Sequence, residues 1–538
     1  MKGTNVMKEV QMKNFRSLKD TGEQKLSPIT ILVGENSSGK STFLRAFPLL
    51  KQSISKRTSG PILWAGDIDD YVDFGSFEET VTNDESDLIT FRFKFEMRLL
   101  PWFHGTIPIE PITNTAASKV KYDRVDYQIV IKSNNGRDYV SEFVLQVNEV
   151  KARFDLSRNN VSVDDVMQFS CKSEKNNTDS DVRKIRNHSF FFVPDSDAFG
   201  FVFPDIAKFW EELLNEIKCN SDREPRMGIG LMEVVADIGR QLSYQQDLSL
   251  SVLGQSSEDK LPGSYIEAYN RLVCIINESQ SERLKNIIKL VYIYSVYPDI
   301  DVFVSNYFKN VHYIAPLRAT AERYYRLRNL AVDEVDYQGK NLAIFINSLN
   351  GNRLRAFQSW TNEHFGFSVN TGTSKGHLSL RIRLSNSEEE INLSDTGFGY
   401  SQVLPIITQL WDLSSRKQIR RGTYYQKKEQ TPLVVAIEQP ELHLHPAVQA
   451  KLAKAFIASI DLANKSGNEL QLLLETHSET IINTLGNAIA RGELEADDVS
   501  VILFEKKAGE SVTNVRNSAF DEDGYLDNWP YGFFSAEE

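Results

Sequence analysis

A nine-residue segment, GENSSGKST at residues 34–42, constrains the fold of this chain more than any other feature. It matches GxxxxGK[ST], follows the apolar run ITILVG and precedes residues with helical spacing, so it predicts a strand, a phosphate-binding loop and a helix. Glycine lets such a loop approach a phosphate without a Cβ clash, and N–H groups at the helix N-terminus face the anion. Lys40 would supply charge to the β- and γ-phosphates, and the Ser41 hydroxyl could bind Mg²⁺.

The segment LVVAIEQPELHLHP, residues 433–446, has the pattern of an apolar strand that ends in a carboxylate. P-loop proteins hold Mg²⁺ beside such an acid, so Ser41 and Glu438 are the predicted metal-site residues. Gln439 follows, and an amide can orient a water molecule but cannot take its proton. We therefore expect slow hydrolysis or tight retention of ATP. Glu441 could act as the base instead, but the sequence does not place its side chain.

Two further segments complete a set of nucleotide-site motifs. In LSDTGFGYSQVLP, Gly397, Gly399 and Ser401 stand at the start of a predicted helix, which makes a second site rich in N–H groups. In LLLETHSE, His477 stands just past a predicted strand, where a polar side chain could reach a γ-phosphate. Taken alone, the first segment could be a glycine-rich turn and the second a structural histidine, so both interpretations depend on the other motifs.

The chain between these motifs first becomes rich in β-like runs and then in helical patterns. From 88 to 150, apolar runs alternate with polar turns such as SNNGRD, which predicts antiparallel strands. A further run, SFFFV, ends near Val193. From 204 to 307 apolar residues recur at helical spacing, most clearly over 206–217.

Two more helices are predicted in this block, one after the capping-box pair Ser264 and Glu267 and one over ERLKNIIKLVYIY. From Val311 the runs LVVAIE, LQLLLET and VSVILFE are typical of buried parallel strands. The predicted fold class is α/β, a P-loop ATPase head with an antiparallel β subdomain and a helical insertion. The predicted divisions are 1–203 and 311–538 for the two parts of the head, and 204–310 for the insertion.

Composition points to a soluble cytoplasmic protein. The 538 residues carry a net charge of -12, so any contact with nucleic acid must come from a local basic patch. The three cysteines form no CxxC pair, which argues against a zinc site and fits a reducing compartment. The N-terminus has no apolar signal-peptide region, and we expect no membrane association.

Two basic and aromatic stretches are candidates for direct contact with nucleic acid, Arg318–Arg328 and Arg416–Lys428. Each could equally be a solvated loop or a protein-binding surface. Two other clusters are not expected to be sites of their own. A separate metal site at Glu441, His443 and His445 is disfavoured, and the tail acids Asp521, Glu522 and Asp523 have the pattern of a solvated charge run.

The order of the motifs resembles that of ABC-type ATPases: phosphate loop, glycine-rich signature, acidic strand and histidine. With NFRSL at residues 14–18, they resemble the RecF/SMC/OLD-like branch of these ATPases. YVDFGSFEE (71–79), VHYIAPLRATAERYY (311–325) and DEDGYLDNWPYGFF (521–534) further resemble the PtuA-like ATPases of Septu systems and of some retrons.

This resemblance implies ATP and Mg²⁺ as cofactors and a homodimer or larger even assembly. The residues that would bind the triphosphate are Asn36, Gly39, Lys40, Ser41 and Thr42. Gly397, Gly399 and Ser401 would contact the nucleotide of the other subunit, and His477 would sense the γ-phosphate. Arg16 would lie near the nucleotide, and Gln52 is a candidate for the Q-loop glutamine. Glu438, Gln439 and His477 are thus the expected catalytic positions.

The resemblance also implies a function: a regulatory ATPase of a bacterial antiphage complex that controls a partner nuclease of the HNH type. A retron reverse transcriptase and its nucleic acid are further expected partners. The alternative is a RecF-like DNA-repair ATPase, without the long heptad run of a Rad50-like or full SMC arm. A third hypothesis is a self-contained nuclease. Residues 478–538 are too few for the Toprim nuclease domain of OLD-type enzymes, so we do not expect this chain to cut nucleic acid itself.

Overall fold

A computed structural model shows how these segments are arranged over most of the chain. It describes residues 6–56, 58–67, 70–82, 87–99, 122–158, 160–165, 167–170, 230–244, 282–326, 332–416, 431–506 and 512–528, with a few residues between 269 and 277 and Gly509. Strands and helices are numbered below in chain order. The helix predicted over 206–217, the capping box at 264–267 and the SFFFV strand lie outside the described residues.

A six-stranded sheet carries the nucleotide-site motifs. Its strands are β4 (Ile29–Gly34), β11 (Val311–Ile314), β16 (Leu433–Glu438), β17 (Leu470–Glu475), β18 (Val499–Glu505) and β19 (Asn514–Ser518). The order is β11-β16-β17-β4-β18-β19, and all neighbours are parallel except β18 and β19. Every residue of β4 and β17 is buried, as the apolar runs predicted. Parallel strands end at the same edge, so this topology brings Gly34, Glu438 and Glu475 together.

A second sheet of nine antiparallel strands forms the β subdomain. Its strands are β1 (Val6–Phe15), β2 (Leu18–Asp20), β3 (Gln24–Lys25), β5 (Leu88–Met97), β6 (Asp123–Asn134), β7 (Arg137–Val147), β8 (Val150–Asp155), β9 (Asn160–Val163) and β10 (Met167–Ser170). In β5, LITFRFKFEM, the more buried residues alternate with half-buried ones, because successive side chains of a strand point to opposite faces. The antiparallel strands predicted over 88–150 are therefore confirmed.

One long helix joins the β subdomain to the nucleotide-site helix. Helices described in this half of the chain include α1 (Lys40–Ser55), α2 (Phe77–Thr80), α3 (Gly230–Ser243) and α4 (Glu282–Lys309). In α4, the Phe303 ring lies 4.6 Å from that of Phe95 in β5. The Phe308 ring lies 5.0 Å from Phe93 in β5 and 6.1 Å from Phe47 in α1. The helix predicted at ERLKNIIKLVYIY is thus present, and its side chains share one apolar core with α1 and the antiparallel sheet.

The opposite face of the parallel sheet is covered by the remaining elements. These are α5 (Leu342–Ser348), α6 (Gly351–Phe365), α7 (Phe398–Ser415), α8 (Pro446–Ser466), α9 (Glu479–Ala490) and a four-stranded sheet of β12 (Tyr325–Arg326), β13 (Phe367–Ser374), β14 (His377–Leu384) and β15 (Glu390–Asn392). In β4, Ile31 and Val33 belong to this core, whereas Leu32 belongs to the α1 side. Among the described residues, no helix combines the length and apolar character needed to cross a bilayer.

Candidate nucleotide-binding site

Two glycines shape the phosphate loop between β4 and α1. At Gly34 a Cβ atom would lie 2.3 Å from the carbonyl oxygen of Phe504 in β18, so the close approach of the two strands leaves room only for glycine. Gly39 is the N-cap residue just before α1, and its φ of +96° is a backbone conformation that residues other than glycine rarely adopt. A Cβ there would also lie 2.8 Å from Ser17 Oγ. The loop therefore has the backbone that the sequence motif predicted.

Lys40 turns back into this loop. Its Nζ donates to the carbonyl oxygens of Gly34 at 2.9 Å and Glu35 at 2.6 Å, although the residue is buried. Burial lowers the pKa of Lys40, against the opposing charges of Glu475, Glu35 and Glu441. The loop oxygens are weaker acceptors than a phosphate would be, because a phosphate carries charge. A bound triphosphate would therefore offer Lys40 a better partner than the loop does.

Three buried polar atoms near this lysine have no hydrogen-bond partner among the described residues: Ser38 Oγ, Glu475 Oε2 and His477 Nε2. Buried polar groups are normally paired, so unpaired ones at a candidate site call for a ligand or ordered water. A triphosphate offers acceptors to Ser38 and Lys40, and Mg²⁺ accepts a carboxylate oxygen. These residues fit the nucleotide and the metal that the phosphate loop implies.

The two acids at the sheet edge have different partners. Glu438 and Glu475 are paired in register at the ends of β16 and β17. Glu438 accepts from Arg45 Nε at 2.6 Å and Nη2 at 2.7 Å, and its Oε1 also accepts from the Tyr313 hydroxyl at 2.8 Å. Ser41 Oγ instead donates to Glu475 Oε1 at 2.8 Å. The predicted pair of Ser41 and Glu438 is therefore not in direct contact, and Glu475 lies between the two motifs.

Sequence reasoning did not single out Glu475, although it carries the signal used for Glu438. Both are acids that end an apolar strand, and Glu475 stands two residues before the predicted His477. Burial and the charge of Glu438 raise the pKa of Glu475 to about 7, against the Ser41 hydrogen bond and the charges of Lys40 and Arg45. A cation beside Glu475 would favour its ionised form.

The residues after β16 and β17 hold each other in place. The backbone N–H of Gln439 donates to the Glu475 carbonyl at 2.8 Å. Glu441 accepts from the backbone N–H of His477 at 2.7 Å and from the Thr476 hydroxyl at 2.8 Å. Burial lowers the pKa of His477, and so does the charge of Lys40. His477 is therefore close enough to the phosphate-loop lysine to be influenced by its charge, and Glu441 holds the residues after the two strands together.

The position of Arg318 differs from the prediction that it belongs to a basic stretch in contact with nucleic acid. It is only 6% exposed, and its Nη2 donates to the carbonyl oxygens of Glu438 and Gln439, each at 2.9 Å. It is thus part of the site's interior and not of an exposed basic surface. Within the same stretch Arg323 and Tyr324 are exposed, and residues 327–328 lie outside the described part.

The second basic stretch is represented by Arg416 alone, since 417–428 are outside the described residues. Arg416 Nε donates to Asp412 Oδ2 at 2.8 Å, and its Nη2 donates to the Asp333 carbonyl at 2.5 Å. This arginine is therefore committed to contacts within the chain.

The signature segment lies on the surface at the start of α7. Gly397 has φ +84°, and no heavy atom lies within 4 Å of the position its Cβ would take. The nearest atom to a Cβ at Gly399 is the His443 carbonyl oxygen at 3.9 Å. Ser401 is buried and its hydroxyl donates to the Phe398 carbonyl of the same helix. The glycine backbone is therefore open to an outside group, whereas the Ser401 hydroxyl is turned toward its own helix.

Arg16 and Gln52 have structural contacts of their own. The Arg16 guanidinium lies over the Phe74 ring, 5.3 Å from its centroid, while the neighbouring Ser17 lies against Gly39. Gln52 is buried, and its Nε2 donates to the carbonyl oxygens of Leu63 at 2.9 Å and Val72 at 3.0 Å. The Gln52 amide therefore holds the segment after α1, a role that the Q-loop interpretation did not anticipate.

The clusters that the sequence disfavoured as sites have structural roles. His445 is the N-cap residue just before α8, and its Nδ1 accepts from the Ala447 N–H at 3.2 Å. Asp521 closes a turn by accepting from the Tyr525 N–H at 2.7 Å. Within the described part of the chain, no three His, Cys, Asp or Glu side chains are grouped so that they could hold a metal ion.

The motifs of this site lie within a segment that matches a known protein family. The family described as "AAA ATPase domain" matches residues 7–482, a span that holds the phosphate loop, the signature, both acids and His477. The chain belongs to this family. A second match, to "Protein of unknown function (DUF3696)", covers residues 494–536 of this AAA ATPase-domain protein. No curated protein matches it.

Solved structures similar to this AAA ATPase-domain protein include an SMC head domain from Thermotoga maritima, at 10% identity and a TM-score of 0.31. Another is the recombination mediator protein RecF in the RecFOR pathway, at 13% identity and a TM-score of 0.27. Each match covers 95% of this chain and 98% of the other. The predicted α/β fold, with a mainly parallel sheet and an antiparallel β subdomain, is confirmed, and the family match shows an AAA ATPase domain.

Proposed function

We propose that this protein is a regulatory ATPase in which two copies, arranged head to tail, hold ATP between them. The observation that carries this proposal is the exposure of both halves of a nucleotide site. Glu35, Asn36 and Ser37 expose the outer side of the phosphate loop, and Gly397 is exposed with open space around it. A second copy could place the amide groups at the start of its α7 against the phosphates held by the first.

The assembly can be tested by measuring mass in solution with ATP and Mg²⁺. The wild type is expected to shift from 61.3 kDa toward twice that mass when the nucleotide is added. Lys40→Ala is expected to remain a monomer, because Lys40 supplies the charge that binds the phosphates. Monomeric wild type with ATP bound would overturn the head-to-tail arrangement.

We expect slow turnover, which would suit a regulatory role. Gln439 stands directly after Glu438, where an amide can orient water without taking its proton. Both oxygens of Glu441 accept a hydrogen bond, one from the Thr476 hydroxyl and one from the His477 N–H, so this carboxylate is held at the strand ends. ATP would therefore be held long enough to keep a closed state, and its hydrolysis would act as a timer.

The controlled partner that we propose is a nuclease of the HNH type in a bacterial antiphage complex, in some systems with a reverse transcriptase and its nucleic acid. The resemblance to PtuA-like ATPases supports this, as does a site organised for nucleotide retention. The experiment is reconstitution with the nuclease encoded beside this protein. DNA cleavage by the nuclease should respond to ATP with wild-type ATPase and lose that response with Lys40→Ala. Cleavage indifferent to the ATPase would contradict the proposal.

A second candidate function is ATP-dependent DNA binding of the RecF type. The observation that favours it is an exposed patch of Arg323, Tyr324 and Arg326, in which the Tyr324 side chain is 58% exposed. Guanidinium groups bind phosphates and an exposed ring can stack on a base. Fluorescence anisotropy with labelled DNA tests it: binding should require ATP, weaken with salt and fall in Tyr324→Ala. Equal binding by Tyr324→Ala would remove this patch from consideration.

A further inference from the structure

We infer that Arg318 is a positioning residue for ATP hydrolysis: it holds the backbone of Gln439 in a conformation that aims the Gln439 amide at the attacking water. The inference rests on the proposed ATP site and on the water-orienting role proposed for Gln439. It adds a residue outside the nucleotide motifs on which that role depends. Arg318 stands just after β11, and Gln439 directly follows β16, the neighbouring parallel strand.

Gln439 has a backbone conformation that its own sequence does not favour. Its φ is +42°, in the left-handed region, where the Cβ atom of any residue other than glycine crowds the backbone. Pro440 follows, and a proline ring favours extended conformations for the residue before it. Contacts from other parts of the chain must therefore hold Gln439 in this conformation.

Arg318 supplies a contact that fits this geometry. Its Nη2 donates to the carbonyl oxygens of Glu438 and Gln439, each at 2.9 Å. Successive carbonyl groups of an extended strand point to opposite sides, so one donor reaches both only where the backbone turns, as it does at Gln439. The Gln439 N–H donates to the Glu475 carbonyl at 2.8 Å, and the Leu442 N–H donates to the Gln439 carbonyl at 3.1 Å. These contacts fix the direction in which the Gln439 side chain leaves the backbone.

The Arg318 segment is itself held on two sides. The Arg318 carbonyl accepts from Gln402 Nε2 of α7 at 3.4 Å, and the Ala319 N–H donates to the Gln338 carbonyl at 2.7 Å. Burial lowers the pKa of Arg318 to about 10, against the charges of two nearby glutamates, so the guanidinium stays protonated at neutral pH. Arg318 is therefore a fixed donor facing the residue after the metal-side acid.

Stability alone does not explain a buried arginine at this position. The residue is only 6% exposed, and its Nε and Nη1 atoms have no hydrogen-bond partner among the described residues. Unpaired donors on a buried charged group are unfavourable, and apolar residues of similar volume often replace buried charges without loss of stability. The conformation that Arg318 imposes on Gln439 gives this guanidinium a role that an apolar side chain could not fill.

The experiment measures single-turnover release of labelled phosphate and the affinity for a fluorescent ATP analogue. Arg318→Met removes the donor and keeps an unbranched side chain. It should slow phosphate release about tenfold or more, because a slightly misplaced water-orienting group lowers the rate, while nucleotide affinity stays within about threefold of wild type. Arg353→Met is the matched control, since Arg353 pairs with Asp412 near the far end of α7, and it should change neither quantity.

The same substitution in two further backgrounds shows whether Arg318 acts through residue 439. In Gln439→Glu the loss should again be about tenfold, because a carboxylate must be aimed in the same way. In Gln439→Gly, which has no side chain to aim and accepts a positive φ, Arg318→Met should lower the rate by less than about threefold. Equal losses in all three backgrounds would mean that Arg318 acts elsewhere, for example on the phosphate, and would overturn the inference.

The remaining outcomes are also decisive. No loss of rate in Arg318→Met, or a loss of nucleotide affinity that accounts for the slower release, would overturn the inference as well. If Arg318→Met does not fold, Arg318→Lys replaces it, because lysine keeps the charge without the planar guanidinium, and the same pattern over the three backgrounds is expected. Wild type that binds no ATP would contradict the proposed function itself. Wild type that binds ATP and releases no phosphate would overturn the role of Arg318 alone.

Discussion

Single side chains of the site carry charges that burial has removed from water. Lys40 is stabilised by loop carbonyls, and Glu438 by Arg45 and Tyr313. Glu475 has only Ser41 for one oxygen and nothing for the other among the described residues. An unpaired buried group is unfavourable, so a bound phosphate and cation would stabilise this site by giving Lys40 and Glu475 charged partners.

The residue after Glu438 should limit the rate of hydrolysis. Gln439→Glu restores a carboxylate that can take a proton from the attacking water, so phosphate release should rise by about tenfold or more. Gln439→Ala is the control and should not accelerate the reaction. Phosphate release by the purified proteins under ATP saturation measures this. An unchanged rate in Gln439→Glu would show that the missing base is not what limits turnover.

Glu469, a half-buried acid just before β17, should make stability depend on pH. Burial raises the pKa of Glu469 to about 7, against the charge of Lys8. Between its ordinary pKa of 4.5 and 7, the folded state keeps a proton that the unfolded chain releases, so stability falls as pH rises through this range. Glu469→Gln removes that loss. It should therefore stabilise the protein at pH 8 and have little effect at pH 4.5.

Denaturant unfolding at the two pH values measures the effect of Glu469→Gln, with Glu493→Gln, an exposed glutamate, as the matched control. The control should change stability little at either pH. A stabilisation by Glu469→Gln that is equal at both pH values would contradict the assigned cause, since it could not come from the titration of Glu469.

At the scale of elements, close backbone contacts decide where segments dock. The turn at 521–525 packs on α9, where a Cβ at Gly486 would lie 2.5 Å from the Gly524 carbonyl oxygen. Gly486→Ala should therefore lower the free energy of unfolding by about 1–3 kcal/mol. Gly351→Ala, at the start of α6, meets no atom within 4 Å and should be neutral or stabilising, because alanine favours a helix.

Denaturant titration of Gly486→Ala and Gly351→Ala with wild type measures both effects. A loss of stability in Gly486→Ala and none in Gly351→Ala is the expected result. Equal midpoints for Gly486→Ala and wild type would mean that the turn can move away from α9 without cost.

Elements with a local signal were predictable from the sequence. The strand, loop and helix around Gly34 follow from glycine positions and an apolar run, and the strands over 88–150 follow from alternation. The four-stranded sheet of β12–β15 was not singled out, although HLSLRIRL in β14 alternates. The place of β17 between β4 and β16 has no local signal, because neighbours in a parallel sheet are set by packing over long sequence separations.

The same limit explains what was missed in the site. Glu438 was chosen because it ends a strand, and Glu475 ends one too, but only the register of β16 and β17 places them side by side. Arg45 as the partner of Glu438 was equally hidden, since α1 and β16 are almost 400 positions apart. Motif reasoning therefore found the phosphate loop and did not show that two acids, Glu438 and Glu475, lie side by side at the sheet edge.

For the whole molecule, the nucleotide site is coupled to the antiparallel sheet through one continuous core. α1 begins at the phosphate loop and packs through Phe47 on Phe308 of α4, which packs in turn on Phe93 of β5. A shift of α1 on nucleotide binding would therefore displace α4 and, through it, the packing of β5 in the β subdomain. The predicted boundaries at 204 and 310 stay a prediction. The side chains of α4, which lies between them, share one core with residues from before 204 and from after 310.

The head-to-tail sharing of ATP is tested most directly by mixing two variants, each with one defective half of the site. Lys40→Ala has a defective phosphate loop and an intact signature. Gly399→Asp has an intact loop, and its new side chain has space within the chain but places negative charge where the partner's phosphates would bind. In a mixed dimer, one of the two sites combines the intact loop with the intact signature.

The measurement is mass photometry of each variant and of their equimolar mixture with ATP and Mg²⁺. Each variant alone should remain at 61.3 kDa, and the mixture should contain particles of twice that mass. Such rescue requires that loop and signature act from different chains. A mixture as monomeric as its components, beside wild type that dimerises, or dimers of Gly399→Asp alone as abundant as those of wild type, would contradict the account.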